Sequence, residues 1–156
     1  MKDPVTVWRL CALQKAEAAF SGNGANRRGG RWNLPGTRVV YCAESRALAA
    51  MEILVHVEDM EDLAQLEWRA IAVAVPRDAI ERPDRFPGSW RKYPYTPATQ
   101  RFGSAWARAG HTVALRVPSA VVPGEFNFLL NPEHEMFAQL KIAPAEPFRF
   151  DSRIGG

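Results

Sequence analysis

One carboxylate stands alone in an apolar run. Residues Ala47 to Val55 read ALAAMEILV, and Glu52 is the single polar member. An unpaired buried carboxylate is costly, so an acid in such a run is either paired or held for chemistry. Upstream lies the opposite composition, Ser21 to Asn33 (SGNGANRRGGRWN). Its glycines let backbone approach a ligand closely. Arg27, Arg28 and Arg31 offer planar forks that match phosphate oxygens. An isolated acid and an arginine-rich loop together suggest a site for a phosphate-bearing ligand. A carboxylate placed there can also stabilise the oxocarbenium-like centre that forms when a glycosidic bond breaks.

Other residues offer chemistry with a bland alternative beside it. Arg31 is held between Gly30 and Trp32 and is expected to act, whereas Arg27 and Arg28 fit a solvated surface loop equally well. Tyr41 follows in the strand-like segment RVVYC. It supplies either a stacking face or an ordinary core aromatic. Ser119 comes after Pro118 and before the apolar Ala120 to Val122, and an ordinary turn serine would look the same. His56 lies one helical turn beyond Glu52, at the expected helix end. No GxSxG elbow is present, which disfavours a serine hydrolase. Neither GxxxxGK[ST] nor a strand-to-helix GxGxxG occurs, which disfavours both common nucleotide-loop folds.

These residues need elements to position them. Val5 to Leu10 predicts a short strand and Ala12 to Phe20 a helix. Ser21 to Pro35 reads as loop. Arg38 to Cys42 is a strong strand pattern. Ser45 is an N-cap for a buried helix running to about His56. Asp59 to Asp62 reads as an acidic turn and Leu66 to Val75 as a second long strand. The proline- and aromatic-rich segment Pro76 to Pro97 is expected to be irregular but packed. Ala98 to Ala109 predicts a helix with Phe102, Ala105 and Trp106 as its stripe, stopped by Gly110. Thr112 to Val117 and Phe126 to Leu130 predict strands, and Ala120 to Val122 resumes extended structure. Met136 to Ile142 is ambiguous, Phe148 to Phe150 suits a sheet edge, and Ser152 to Gly156 should fray. Strands with interspersed helices give a single α+β domain spanning residues 1–156.

Composition narrows the classes further. Of the 20 cationic residues 16 are arginine, yet net charge is only +3, too little for a basic nucleic-acid face. The two cysteines, Cys11 and Cys42, form no CxxC pair, and His56, His111 and His134 lie far apart. Buried reduced thiols are expected, and no structural zinc. No apolar stretch nears the ~20 residues of a membrane span. MKDPVTVWRL lacks a signal-peptide core, so a soluble cytoplasmic protein is expected.

Taken together, FSGNGANRRGGRWNLPGTRVVYCAESRALAAMEILVH and the later VPSAVVPGEFNFLLNPEH resemble the RES-domain toxins of bacterial toxin–antitoxin systems. The resemblance runs from the WRL at Trp8 to the asparagine-proline near the end, carried by GGRWN, YxAES and PSxVVP in that order. It implies a fold like the ADP-ribosyltransferase catalytic domains, with a split β-sheet core cradling NAD. By position, Arg31 matches the family arginine, Glu52 the glutamate and Ser119 the serine, and Tyr41 matches an aromatic of the site. It implies NAD as substrate, no metal, and a helical DNA-binding antitoxin of the Xre type that covers the active site.

The expected function is therefore the toxin of a type II toxin–antitoxin system that cleaves the nicotinamide–ribose bond of NAD by hydrolysis or phosphorolysis. Arg31 would hold pyrophosphate or ribose oxygens, Tyr41 would stack near the nicotinamide, and Ser119 would donate to or orient the dinucleotide. A protein mono-ADP-ribosyltransferase using the same site is the first alternative. A non-enzymatic nucleic-acid-binding module is the second.

Overall fold

A computed structural model describes residues 3–155. Its centre is one mixed sheet of eight strands: β1 (Pro4–Ala12), β2 (Val40–Ala43), β3 (Trp68–Pro76), β4 (Ile80–Glu81), β5 (Ala114–Pro118), β6 (Phe126–Leu130), β7 (Lys141–Ile142) and β8 (Glu146–Phe148). The order is β4-β5-β6-β2-β1-β3-β7, with β8 also on β3; β4 and β5 run parallel and the other pairs antiparallel. Four helices join it: α1 (Asn23–Arg28), α2 (Arg46–Leu54), α3 (Met60–Gln65) and α4 (Pro97–Ala109). The architecture is α+β, as the alternation of patterns predicts.

The sheet is nearly split between β1 and β2. β1 registers with β3 from Pro4↔Pro76 to Ala12↔Trp68, but with β2 only at Trp8↔Ala43. Where the strands part, the Arg9 guanidinium bridges the gap, donating from Nε to the Ala19 carbonyl at 2.7 Å and from Nη1 to the Tyr41 carbonyl at 3.0 Å. Cys42 lies on one face with Val7, Val40, Val73, Val75, Phe128 and Leu130. Burial pushes the Cys42 thiol up to about 12, so it behaves as a small core side chain. The opposite face carries two separate apolar groups. Leu115, Val117 and Leu129 pack with Trp32, Val39 and Trp106 under α4. Leu10, Ala43, Trp68 and Ala70 pack with Leu48 and Ala49 of α2 and Leu63 of α3. The candidate site lies along the seam between those groups.

Several elements differ from the sequence expectations. Ala12 to Phe20 holds only a 3-10 turn, Leu13–Lys15, because β1 continues through Ala12 and Leu13 N–H still reaches the Glu67 carbonyl. The glycine-rich loop contains α1, entered through Gly22 at φ 75° and left through Gly29 at φ 73°. Only glycine adopts that backbone freely. The acidic turn is α3, capped by the Asp59 carboxylate accepting from Glu61 N–H at 2.9 Å. Ala120 to Val122 bends instead of extending. In α4 the buried stripe is Thr99, Gly103, Ser104 and Trp106, while Ala105 is exposed. α2 is not enclosed: only Leu48 and Ala49 are buried, and Met51 and Val55 are 42% and 55% exposed. Its apolar residues outnumber the positions that the sheet can cover.

Candidate active site

α2 delivers Glu52. Ser45 Oγ caps it by accepting Leu48 N–H at 3.0 Å, which sets where the helix starts and how Glu52 points. Beneath it is the β5–β6 hairpin, closed by Ser119 N–H donating to the Glu125 carbonyl at 2.8 Å. That hairpin presents two donors to one carboxylate oxygen. Ser119 Oγ–H reaches Glu52 Oε2 at 2.7 Å, and Asn127 Nδ2 reaches it at 2.8 Å. Ser119 is 1% exposed, and its Oγ accepts from Val121 N–H at 3.1 Å and Val122 N–H at 3.0 Å. A hydroxyl has one proton and two lone pairs. Both lone pairs are occupied, so the proton goes to Glu52 and none remains for a ligand. Oε1 of Glu52 has no protein partner among the described residues.

Arg31 comes from a tight turn. Gly30 N–H donates to the Asn33 carbonyl at 3.0 Å, leaving Arg31 and Trp32 at the tip. Trp32 is buried against Phe86 and Phe102, which leaves Arg31 half-exposed. Arg31 Nη1 donates to the Trp90 and Lys92 carbonyls at 2.9 and 2.7 Å, and its guanidinium stands 5.7 Å from the Tyr95 ring centre. Nε and Nη2 have no protein partner among the described residues. Partial burial lowers the Arg31 pKa, while the Glu52 charge opposes that shift, so the two groups share an electrostatic neighbourhood. The arginine stays protonated.

Tyr41, on β2, is joined to this turn. Its hydroxyl donates to Asn33 Oδ1 at 2.6 Å and accepts Trp32 N–H at 3.1 Å. Asn33, fully buried, in turn donates from Nδ2 to the Ala25 and Thr37 carbonyls. Burial drives the Tyr41 pKa upward, so the phenol stays neutral. The hydroxyl is spent on the loop, which leaves the part-exposed ring as the group able to meet a ligand.

The remaining candidates make no hydrogen bond to Glu52 or Arg31 among the described residues. Arg27 and Arg28 are exposed at the end of α1, and His56 is exposed beyond the last residue of α2. A cleft of about 230 Å³ opens at the split between β1 and β2, bordered by Arg9, Ser21, Asn23, Arg28 and Tyr41. Neither Glu52 nor Arg31 lines it, so the hydrogen bonds around Glu52, not this cleft, define the site. The sequence reasoning missed Asn127, Asn33 and the Trp90–Tyr95 segment that holds Arg31. For Asn127 the available signal was a lone amide in the apolar strand FNFLL.

A family model described as the RES domain matches residues 6–151. The chain belongs to the RES-domain family. One relative, "Toxin Res" of Yersinia enterocolitica, is 34% identical over 150 residues, covering 95% of this chain and 98% of that protein. "Prs ADP-ribosylating toxin" of a Sphingobium species is 34% identical over 154 residues, 94% of each chain. A solved structure, the M. tuberculosis MbcT-MbcA toxin-antitoxin complex, contains a chain of similar fold at TM-score 0.70 and 20% identity, with 94% of this chain and 85% of that one covered. The three residues expected from the sequence, Arg31, Glu52 and Ser119, are an arginine with free donors, a carboxylate with one free oxygen, and a serine bound to that carboxylate.

Proposed function

We propose that this RES-domain chain is the toxin of a toxin–antitoxin pair and cleaves the nicotinamide–ribose bond of NAD. The observation that carries the reading is the division of labour within Glu52: Oε2 is held by two donors, and Oε1 is free in the neighbourhood of the Arg31 cation. Arg31 uses Nε and Nη2 for pyrophosphate or ribose oxygens. The Tyr41 ring stacks near the nicotinamide. Glu52 accepts a hydrogen bond from a ribose hydroxyl and stabilises the positive charge growing at C1. The C1–N bond breaks with its electron pair leaving on nitrogen, so nicotinamide departs neutral. Water or phosphate then forms the new bond to C1 and gives up a proton. With a cationic leaving group already in the substrate, this chemistry needs no metal.

Ser119 acts through Glu52, because its only proton already lies on Oε2. Of the two roles expected for it, donating to the dinucleotide or orienting it, this reading keeps the second. The name of the Sphingobium relative favours a second reading, in which a protein side chain takes the ADP-ribose. The partner we propose is a helical, DNA-binding antitoxin of the Xre type; the exposed Met51 and Val55 beside Glu52 give such a protein apolar surface to cover. The toxin alone is not expected to bind nucleic acid, and its substrate pool would be cytoplasmic NAD. Purified protein mixed with NAD separates the readings. Free nicotinamide with free ADP-ribose or ADP-ribose-1-phosphate supports cleavage, label retained on protein supports transfer, and intact NAD rejects both.

A further inference from the structure

Asn127 is absent from the residues for which the family is named, yet it touches the central acid directly. β6 sets its direction. Asn127 registers with Ala43 of β2 and Val117 of β5, so it shares the sheet face of Leu129 and points at α2. Its Nδ2 donates to Glu52 Oε2. Its Oδ1 is buried without a protein partner among the described residues, so the amide is not a structural cross-link satisfied at both ends. Ser119 reaches the same oxygen from the other end of the same hairpin loop. Two donors on one short covalent frame fix both the position and the rotation of the carboxylate.

We propose that Asn127 is a positioning residue for the reaction. Its N–H and the Ser119 O–H together lock Glu52 Oε2, which leaves Oε1 as the oxygen presented to the ribose. The proposal rests on the NAD-cleavage reading for its kinetic consequence. The Glu52 charge is felt at Arg31; Glu44 lies near the same hairpin, with Oε1 holding Phe126 N–H at 2.8 Å. Both remain in place when Asn127 is changed.

Two variants and two measurements test it. Asn127→Leu keeps the forked shape and loses the donor. Asn127→Asp keeps the shape and sets a second carboxylate against Glu52. In nicotinamide-release kinetics Asn127→Leu should lower kcat about tenfold to a hundredfold, with KM within about twofold, because orientation is lost and not binding. Asn127→Asp should move the acid limb of the pH–rate profile to higher pH, since two adjoining carboxylates resist both being ionised. A merely structural role would lower melting temperature and leave that limb where it is. The second measurement needs no turnover: in a crystal structure of Asn127→Leu the Glu52 carboxylate should lose its single orientation, because only the Ser119 donor still holds Oε2. Unchanged kcat in Asn127→Leu together with an unmoved acid limb in Asn127→Asp overturns the proposal, as does an unchanged orientation of the Glu52 carboxylate. Wild-type protein that releases no nicotinamide overturns the functional reading instead, and the carboxylate orientation still decides this one.

Discussion

Gly103→Ala should damage both stability and activity, although alanine is the better helix former. Gly103 lies in α4, and a Cβ there would stand 1.8 Å from the Trp32 carbonyl oxygen and 2.8 Å from its carbonyl carbon. Backbone meets backbone, so no side chain can rotate away. To regain 3.0 Å, the helix or the turn must withdraw by about 1.2 Å. Overpacking on that scale costs about 1–3 kcal/mol. The same shift strains two links from α4 to the turn: Leu34 N–H donating to Ser104 Oγ at 2.9 Å, and Gln100 Nε2 donating to the Asn33 carbonyl at 3.3 Å. Losing one adds about 1 kcal/mol. Helix propensity returns at most about 1 kcal/mol. The net loss is roughly 1–3 kcal/mol, read as a lower urea midpoint at unchanged m-value. Because Trp32 adjoins Arg31, the withdrawal also displaces the guanidinium, and nicotinamide release should fall on the order of a hundredfold. A variant as stable and as active as wild type would refute this account of the close approach.

Three further predictions follow from the same geometry. Ser119→Ala removes a donor from Glu52 and strands the Val121 and Val122 N–H groups, so it should lower kcat about tenfold and cost about 1–3 kcal/mol in urea unfolding; full activity would contradict the positioning role. Arg31→Lys cannot hold two carbonyls and still offer a planar fork, so KM for NAD should rise about tenfold or more, and an unchanged KM would remove Arg31 from binding. Stability should fall as pH rises above the ordinary thiol value of 9.0, because the Cys42 pKa is raised to about 12 in the folded chain and the unfolded chain gives up that proton first. The loss, up to about 1.4 kcal/mol per pH unit between those values, should shrink in Cys42→Ala when urea midpoints at pH 8 and pH 10 are compared.

Much of this site was legible because its residues sit in strong local patterns. Ser45 capping an apolar run placed α2, and FNFLL marked β6 to the residue. Other features were hidden by their brevity. α1 reads NGANRR, with no apolar period, and is defined by glycine backbone angles that sequence expresses only as a loop signal. α3 needed its Asp59 cap to be read as a helix start and not as a turn. The exposure of Met51 and Val55 depends on how little of α2 the sheet covers, which is a tertiary fact. In the site itself, residue type pointed to Glu52 and Arg31, and the resemblance aligned Ser119 and Tyr41 with them. Neither revealed that Ser119 faces the carboxylate, since that contact joins residues far apart in sequence. The backbone carbonyls of Trp90 and Lys92 that hold Arg31 leave no side-chain signature at all.

In the proposed reaction Glu52, with one oxygen locked and one free, assists departure of nicotinamide from NAD. Proton NMR of NAD incubated with purified protein follows that bond directly. Free nicotinamide signals should grow with wild-type protein and grow at least about a hundredfold more slowly with Glu52→Gln of equal thermal stability. Intact NAD with the wild-type protein, or equal rates for the two proteins, would contradict it.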